Sequence, residues 1–179
     1  MTEALPNCRS CGTALTITLV DLGYSPLANS YVPRERAHIP DPRYPLHVRV
    51  CSECWLAQAD AAVPADEIFD AHYAYFSSFS DSWLAHCRRY SKKMIDGLGL
   101  GSESLVIEIA SNDGYLLQYF VAEGIPVLGI EPTANTAAAA EARGVPTQGG
   151  SLREDAGQPL AAQGGRPDLG WCANVWTHV

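Results

Sequence analysis

The chain has 179 residues, of which 47% are apolar and 18% charged, and it carries a formal net charge of -8. That length allows one or two small domains, and that composition supports a packed core and excludes wholesale disorder. The 12 basic residues group nowhere more densely than at Arg88-Arg89 and Lys92-Lys93, which excludes a nucleic-acid binder built on phosphate neutralisation.

The opening segment holds Glu3, Asp21 and paired cysteines, with no basic start followed by an apolar run. A secretory signal is therefore not expected. No apolar run is long enough to span a membrane, so a cytoplasmic protein with neither membrane nor nucleic-acid partner is expected.

Residues 1–60 are dense in turn formers, among them Pro6, Gly12, Gly23, Pro26, Pro33, Pro40, Pro42 and Pro45. Between them, Leu15–Leu22 and Leu46–Val50 alternate apolar with other residues, as half-buried strands do. A β-rich module of this size buries too little apolar surface to stand without a staple. Cys8-x2-Cys11 and Cys51-x2-Cys54 offer one: each pair presents two thiolates, and together they complete a tetrahedral zinc shell. The 39 residues between Cys11 and Cys51 require the intervening strands to fold back. Such a shell leaves no open position, so the zinc would be structural. Buried free thiols or a dithiol redox pair are the competing readings. Cys87 and Cys172 are expected in the core.

Residues 61–98 read as a helical segment. Ser80 or Asp81 can cap a helix whose apolar positions are Trp83, Leu84, Cys87, Tyr90, Met94 and Ile95, with Gly97 as its stop. Before it, His72–Ser80 mixes aromatics and hydroxyls without a period, which suits a loop facing something polar.

Residues 99–179 read as the third region, and from residue 104 onward the pattern is βαβ. Strands are predicted over Leu105–Ile109, Val127–Ile130 and Leu169–Val175, and helices over Tyr115–Glu123 and Ala134–Arg143, the latter closed by Gly144. Gly149–Arg166 reads as a linker. This alternation implies a parallel sheet of Rossmann-like type. The loop after the first strand carries Ala110, Asn112, Asp113 and Gly114 and opens a helix, so its backbone can approach a ligand closely. Glu131 ends the next strand, where a carboxylate accepts from ribose hydroxyls. Glu108, closing the first strand, favours a methyltransferase over a nicotinamide site, and an ordinary αβ turn is the plain alternative. Asn174 and His178 fall at the carboxyl end of the last strand, where open αβ sheets place ligands, although a surface histidine is an even alternative.

Taken together, these motifs resemble the zinc-containing, S-adenosylmethionine-dependent C-methyltransferases that act on nucleotide-linked keto-deoxysugars in antibiotic biosynthesis. The resemblance rests on the two cysteine pairs, Asp21-Leu-Gly-x-x-Pro-Leu-Ala-Asn29, Tyr73-x-Tyr75-x-Ser77-Ser78-x-Ser80, Glu108–Leu117, Gly129-Ile-Glu-Pro132 and Asn174-Val-x-x-His178-Val179. It implies a partial class I methyltransferase sheet, preceded by a zinc module over 1–60 and a helical segment over 61–98. Ala110–Gly114 would hold the methionine end of the cofactor, Glu131 its ribose, with Glu108 and Asn174 also on the cofactor. Tyr73, Tyr75 and Ser78 would face the sugar, with Tyr75 and His178 the catalytic candidates. The implied reaction is methylation, at C-3, of an enolate formed next to a sugar ketone. Trp176-Thr177 departs from the smaller apolar pair expected before the histidine. Family members are also much longer, so an N-terminal portion is implied that lacks further strands and a C-terminal domain carrying the proton acceptor. Such a piece is expected to be inactive alone and to associate through its exposed sheet edge. A zinc-stapled binding module that docks a partner is the rival reading.

Overall fold

A computed structural model describes residues 5–60, 63–69, 73–150 and 166–173. Asn174, Val175 and His178 therefore lie outside the described residues. The chain forms two compact units, Met1–Ile68 and Phe69–Val179.

In the first unit, strands β1 (Ile17–Ser25), β2 (Tyr44–Val50) and β3 (Ala57–Ala59) make an antiparallel sheet in that order, followed by the short helix α1 (Ala65–Ile68). Ile17 pairs with Val50, so the chain leaving the first cysteine pair and the chain entering the second lie at the same end of the ribbon. This register is how the long interval between the pairs closes. β1 starts two residues later than its alternation predicts. Leu15 is drawn out of the strand: its N–H donates to the Pro6 carbonyl at 2.9 Å and its side chain is buried with Cys8 and Cys51. β1 is also not half-buried: Ile17 to Tyr24 are exposed throughout, Leu19 and Leu22 at 62% each. The buried apolar cluster of this unit is Cys8, Leu15 and Cys51, too small to hold three strands without a cross-link.

In the second unit, helix α2 (Asp81–Leu98) leads into β4 (Val106–Ile109), α3 (Gln118–Ala122), β5 (Val127–Glu131), α4 (Ala134–Ala142), β6 (Thr147–Gly149) and β7 (Leu169–Cys172). Ser80 caps α2, accepting from the Trp83 N–H at 3.3 Å. The helix runs through Gly97, which does not stop it. Gly99 does, with φ of 64° and its N–H on the Ile95 carbonyl. Leu100 also donates to Ile95 and folds back on the core, the closing contact of this type of cap.

The four strands are all parallel in the order β6-β5-β4-β7. The chain builds outward from β4 to β5 and β6, then returns to the other side of β4. The carboxyl end of β4 is thus the switch point of the sheet, where a crevice opens. β6 was not expected; at three residues between Pro146 and Gly150 it is too short to show a period. α3 starts later than predicted because Tyr119 and Phe120 bond three residues back, to Leu116 and Leu117, a tight first turn after the loop. The core joins Val106, Tyr115, Leu116, Leu117, Phe120, Ile125, Val127, Ala140 and Val145, with Trp83, Leu84, Tyr90, Met94 and Ile95 of α2 packed against it. Cys87 is buried as expected and Cys172 half-buried. Among the described residues, no helix is long and apolar enough to cross a membrane.

Phe120 is the largest side chain with no exposure, so Phe120→Ala should destabilise the second unit by about 3–5 kcal/mol in denaturant titrations.

Candidate functional site

Two sites emerge, one in each unit. In the first, the sulfurs of Cys8, Cys11, Cys51 and Cys54 all lie within 4.8 Å of one another. The two knuckles interleave: Cys8 faces Cys54 and Cys11 faces Cys51, each at 3.5 Å. Four sulfurs around zinc at about 2.3 Å stand about 3.8 Å apart, so this donor set fits the metal. Peptide and side-chain donors reach the sulfurs of this cluster. The Glu53 and Cys54 N–H groups reach Cys51 Sγ at 3.4 and 3.5 Å. Gln58 Nε2 donates to Cys8 Sγ at 3.2 Å, its carbonyl held by the Arg9 N–H at 3.0 Å. The Cys8 thiol is lowered to about 6, first by backbone donation from Cys11 and then, against desolvation, by Gln58. At Cys54 the Leu56 backbone favours the thiolate, but desolvation and the three neighbouring thiols push the value up to about 11. The crowding of sulfur charge is what a dication would relieve. Gln58 was not singled out from the sequence. Its only signal there is a long polar side chain between Ala57 and Ala59, just after the second knuckle.

Purified chain should carry about one zinc, and Cys51→Ser should lose it. Chelation should then speed amide exchange across residues 5–60 while β4 and β5 stay protected.

In the second unit, the loop after β4 is left-handed at three positions: Ala110 (φ 55°), Asn112 (φ 50°) and Gly114 (φ 74°). Only Gly114 lacks a Cβ, and it has no room for one, because a Cβ there would stand 3.0 Å from Val145 Cγ2 and 3.2 Å from Ala140 Cβ. The turn carries the loop across the tip of β5. Glu131, buried at that tip, accepts from the Asn112 N–H at 2.8 Å and from the Thr133 N–H at 2.9 Å. Each carboxylate oxygen keeps a lone pair for a further donor. The approach is close on the strand side too, since a Cβ on Gly129 would come within 2.4 Å of Ser111 Oγ.

Glu108 is fully buried at the end of β4, and among the described residues neither of its oxygens meets a donor in ordinary hydrogen-bond geometry. Ser111 Oγ and Thr133 Oγ1 are likewise buried without a hydrogen-bond partner among the described residues. Asp113, also fully buried, pairs with Arg143 at 2.7 Å. Burial, then the charges of Glu131 and Asp113, raise Glu108 well above the carboxylate range against the Tyr115 hydroxyl, which favours its charged form. Three acids are thus buried together: Glu131 on backbone N–H groups, Asp113 on Arg143, and Glu108 in a setting that favours its protonated form.

The predicted sugar-facing residues sit on a segment fastened to this loop. Asn112 Oδ1 accepts from the Ser77 N–H at 2.8 Å and Asn112 Nδ2 donates to the Tyr75 carbonyl at 3.1 Å. Asn135 Nδ2 donates to the Tyr73 carbonyl at 2.8 Å, and Arg143 donates to Ser78 Oγ at 2.8 Å. The Tyr75 backbone is thereby tied to Asn112, the Tyr73 backbone to α4, and the Ser78 hydroxyl to the arginine that pairs with Asp113. The sequence did not single out Asn135 or Arg143; each acts through contacts distant along the chain and lies in a helix that reads as ordinary.

A group whose folded value is raised binds its proton more tightly than the unfolded chain does, so its contribution to stability falls as pH rises above the ordinary carboxylate value. Glu108→Gln should therefore flatten the decline of Tm between about pH 5 and pH 8.

A family model described as "Putative zinc binding domain" matches residues 8–69. C-methyltransferase NovU of Streptomyces niveus is 30% identical to this chain over 175 residues, which is 98% of the chain and 41% of that protein. The chain thus spans about two fifths of the length of this relative.

Proposed function

We propose that this chain, as a relative of a C-methyltransferase along nearly its whole length, is the zinc- and cofactor-binding portion of an S-adenosylmethionine-dependent enzyme that methylates a carbon of a nucleotide-linked keto-deoxysugar. The observation that carries the reading is the loop at the end of β4. Its left-handed turn, the lone pairs left on Glu131 and the buried oxygens of Glu108, Ser111 and Thr133 put polar groups together at the switch point of a parallel sheet. A sulfonium with an α-ammonium is a cation suited to buried acids, and a ribose diol is suited to Glu131.

When bound, S-adenosylmethionine supplies an electrophilic methyl group. The protein's own part is to hold Glu131 toward the ribose and to keep the segment Tyr73–Ser78 beside the loop. A Tyr75 hydroxyl and a His178 imidazole are groups suited to donating to the enolate oxygen, while the proton acceptor belongs to the C-terminal domain that the resemblance implies. The ring carbon that receives the methyl is C-3 in this reading. The four thiolates would close their metal's shell, so zinc shapes the first unit and takes no part in the transfer. Among the described residues β7 is an edge of the sheet, and in this reading it is the edge through which such a portion associates.

Calorimetry with S-adenosylmethionine tests the reading on the full chain. Binding should be present and should weaken about tenfold or more in Glu131→Ala, whose lost carboxylate served both backbone and ribose. Absence of binding by the unaltered chain would sink the reading and favour a zinc-stapled module that docks a partner.

A further inference from the structure

Asn112 does two things at once. Its backbone takes the left-handed conformation and donates its N–H to Glu131. Its side chain, only 7% exposed, holds the Ser77 N–H and the Tyr75 carbonyl. Its amide accepts from one peptide through the oxygen and donates to another through the nitrogen. The two peptides it holds flank Phe76, whose ring stacks on Phe79 at 5.3 Å. Two further bonds, Asn135 to Tyr73 and Arg143 to Ser78, pin the segment on either side. Arg143 in turn grips Asp113, the neighbour of Asn112, by both its carboxylate and its carbonyl. The aromatic segment is thus held at three points, two of them from α4 and its end, and the central one, Asn112, is the tie to the cofactor loop.

We propose that Asn112 is a positioning residue that couples the cofactor loop to the aromatic segment: its side chain straps Tyr75–Ser77 onto the turn whose backbone it fixes against Glu131. This rests on the reading of Ala110–Gly114 as the cofactor cradle. A ligand that engages Glu131 and the loop N–H groups steadies Asn112, and through its amide the segment bearing Tyr75. The coupling is reciprocal, so an ordered segment holds the loop ready for the cofactor.

The choice of variant separates the two jobs. Asn112→Gly keeps the left-handed backbone and the N–H to Glu131 while removing the strap. Asn112→Asp keeps the acceptor for Ser77 and removes the donor to Tyr75. Amide exchange by mass spectrometry, on the full zinc-loaded chain with and without S-adenosylmethionine, reads the outcome. In the ligand-free chain, exchange over residues 74–79 should quicken about tenfold in Asn112→Gly and less in Asn112→Asp, with β4 unchanged. In the unaltered chain the cofactor should slow exchange over the same residues, and in Asn112→Gly it should no longer do so. Unchanged exchange in the ligand-free Asn112→Gly chain would overturn the strap. Equal slowing by cofactor in both chains would overturn the coupling. Failure of the unaltered chain to bind cofactor would instead overturn the cofactor reading, because the ligand-free comparison still decides the strap.

Discussion

The turn that ends β4 constrains everything around it. Three of its residues take left-handed backbone, two of them with a Cβ, at a cost of about 1 kcal/mol or more each. The surrounding structure holds them there. Glu131 pins the Asn112 N–H from below, Arg143 grips Asp113 from the side, and Val145 and Ala140 close on Gly114. The consequence is a backbone that crosses the tips of β4 and β5 with Glu108 and Glu131 buried beneath it, from different strands. The segment bearing Tyr75 is tied to the same turn through Asn112.

The first unit depends on a different kind of constraint. Its sheet has almost no apolar interior, and β1 is exposed on both faces. What holds β1 and β2 in register at their cysteine end is the meeting of two knuckles, drawn together because Ile17 pairs with Val50. The metal site and the sheet are therefore one structure: each knuckle is anchored by a strand end, and each strand end is held by a knuckle. Gln58 extends this dependence to β3 by tying that strand to Cys8.

Much of this was legible in the sequence, and the reasons are local. Paired cysteines, a strand closing on Glu108 and a strand closing on Glu131 each announce themselves within a few residues. The loop positions Ala110, Asn112 and Gly114 were recognisable although two are not glycine, and all three turn out to take the backbone that glycine usually supplies. What the sequence did not disclose involves distance along the chain. Nothing near Asn135 or Arg143 marks them as partners of Tyr73 and Ser78, more than sixty residues earlier. Gly97 read as the end of α2 because it is the first glycine met, yet the stop falls at Gly99, where Leu100 can fold back onto the core. β1 read as half-buried because alternation reports a strand's pattern and not whether anything covers it.

Gly129 shows a further side of the same crowding. Its backbone is unremarkable in angle, but a Cβ there would stand 2.4 Å from Ser111 Oγ and 3.2 Å from Thr147 Oγ1. Positions 129 and 111 therefore share one volume between adjacent strand ends, and the constraint runs one way. Position 111 can shrink alone, whereas a larger residue at 129 requires Ser111 to turn aside or shrink first. In the evolution of such chains, change at 129 should follow change at 111.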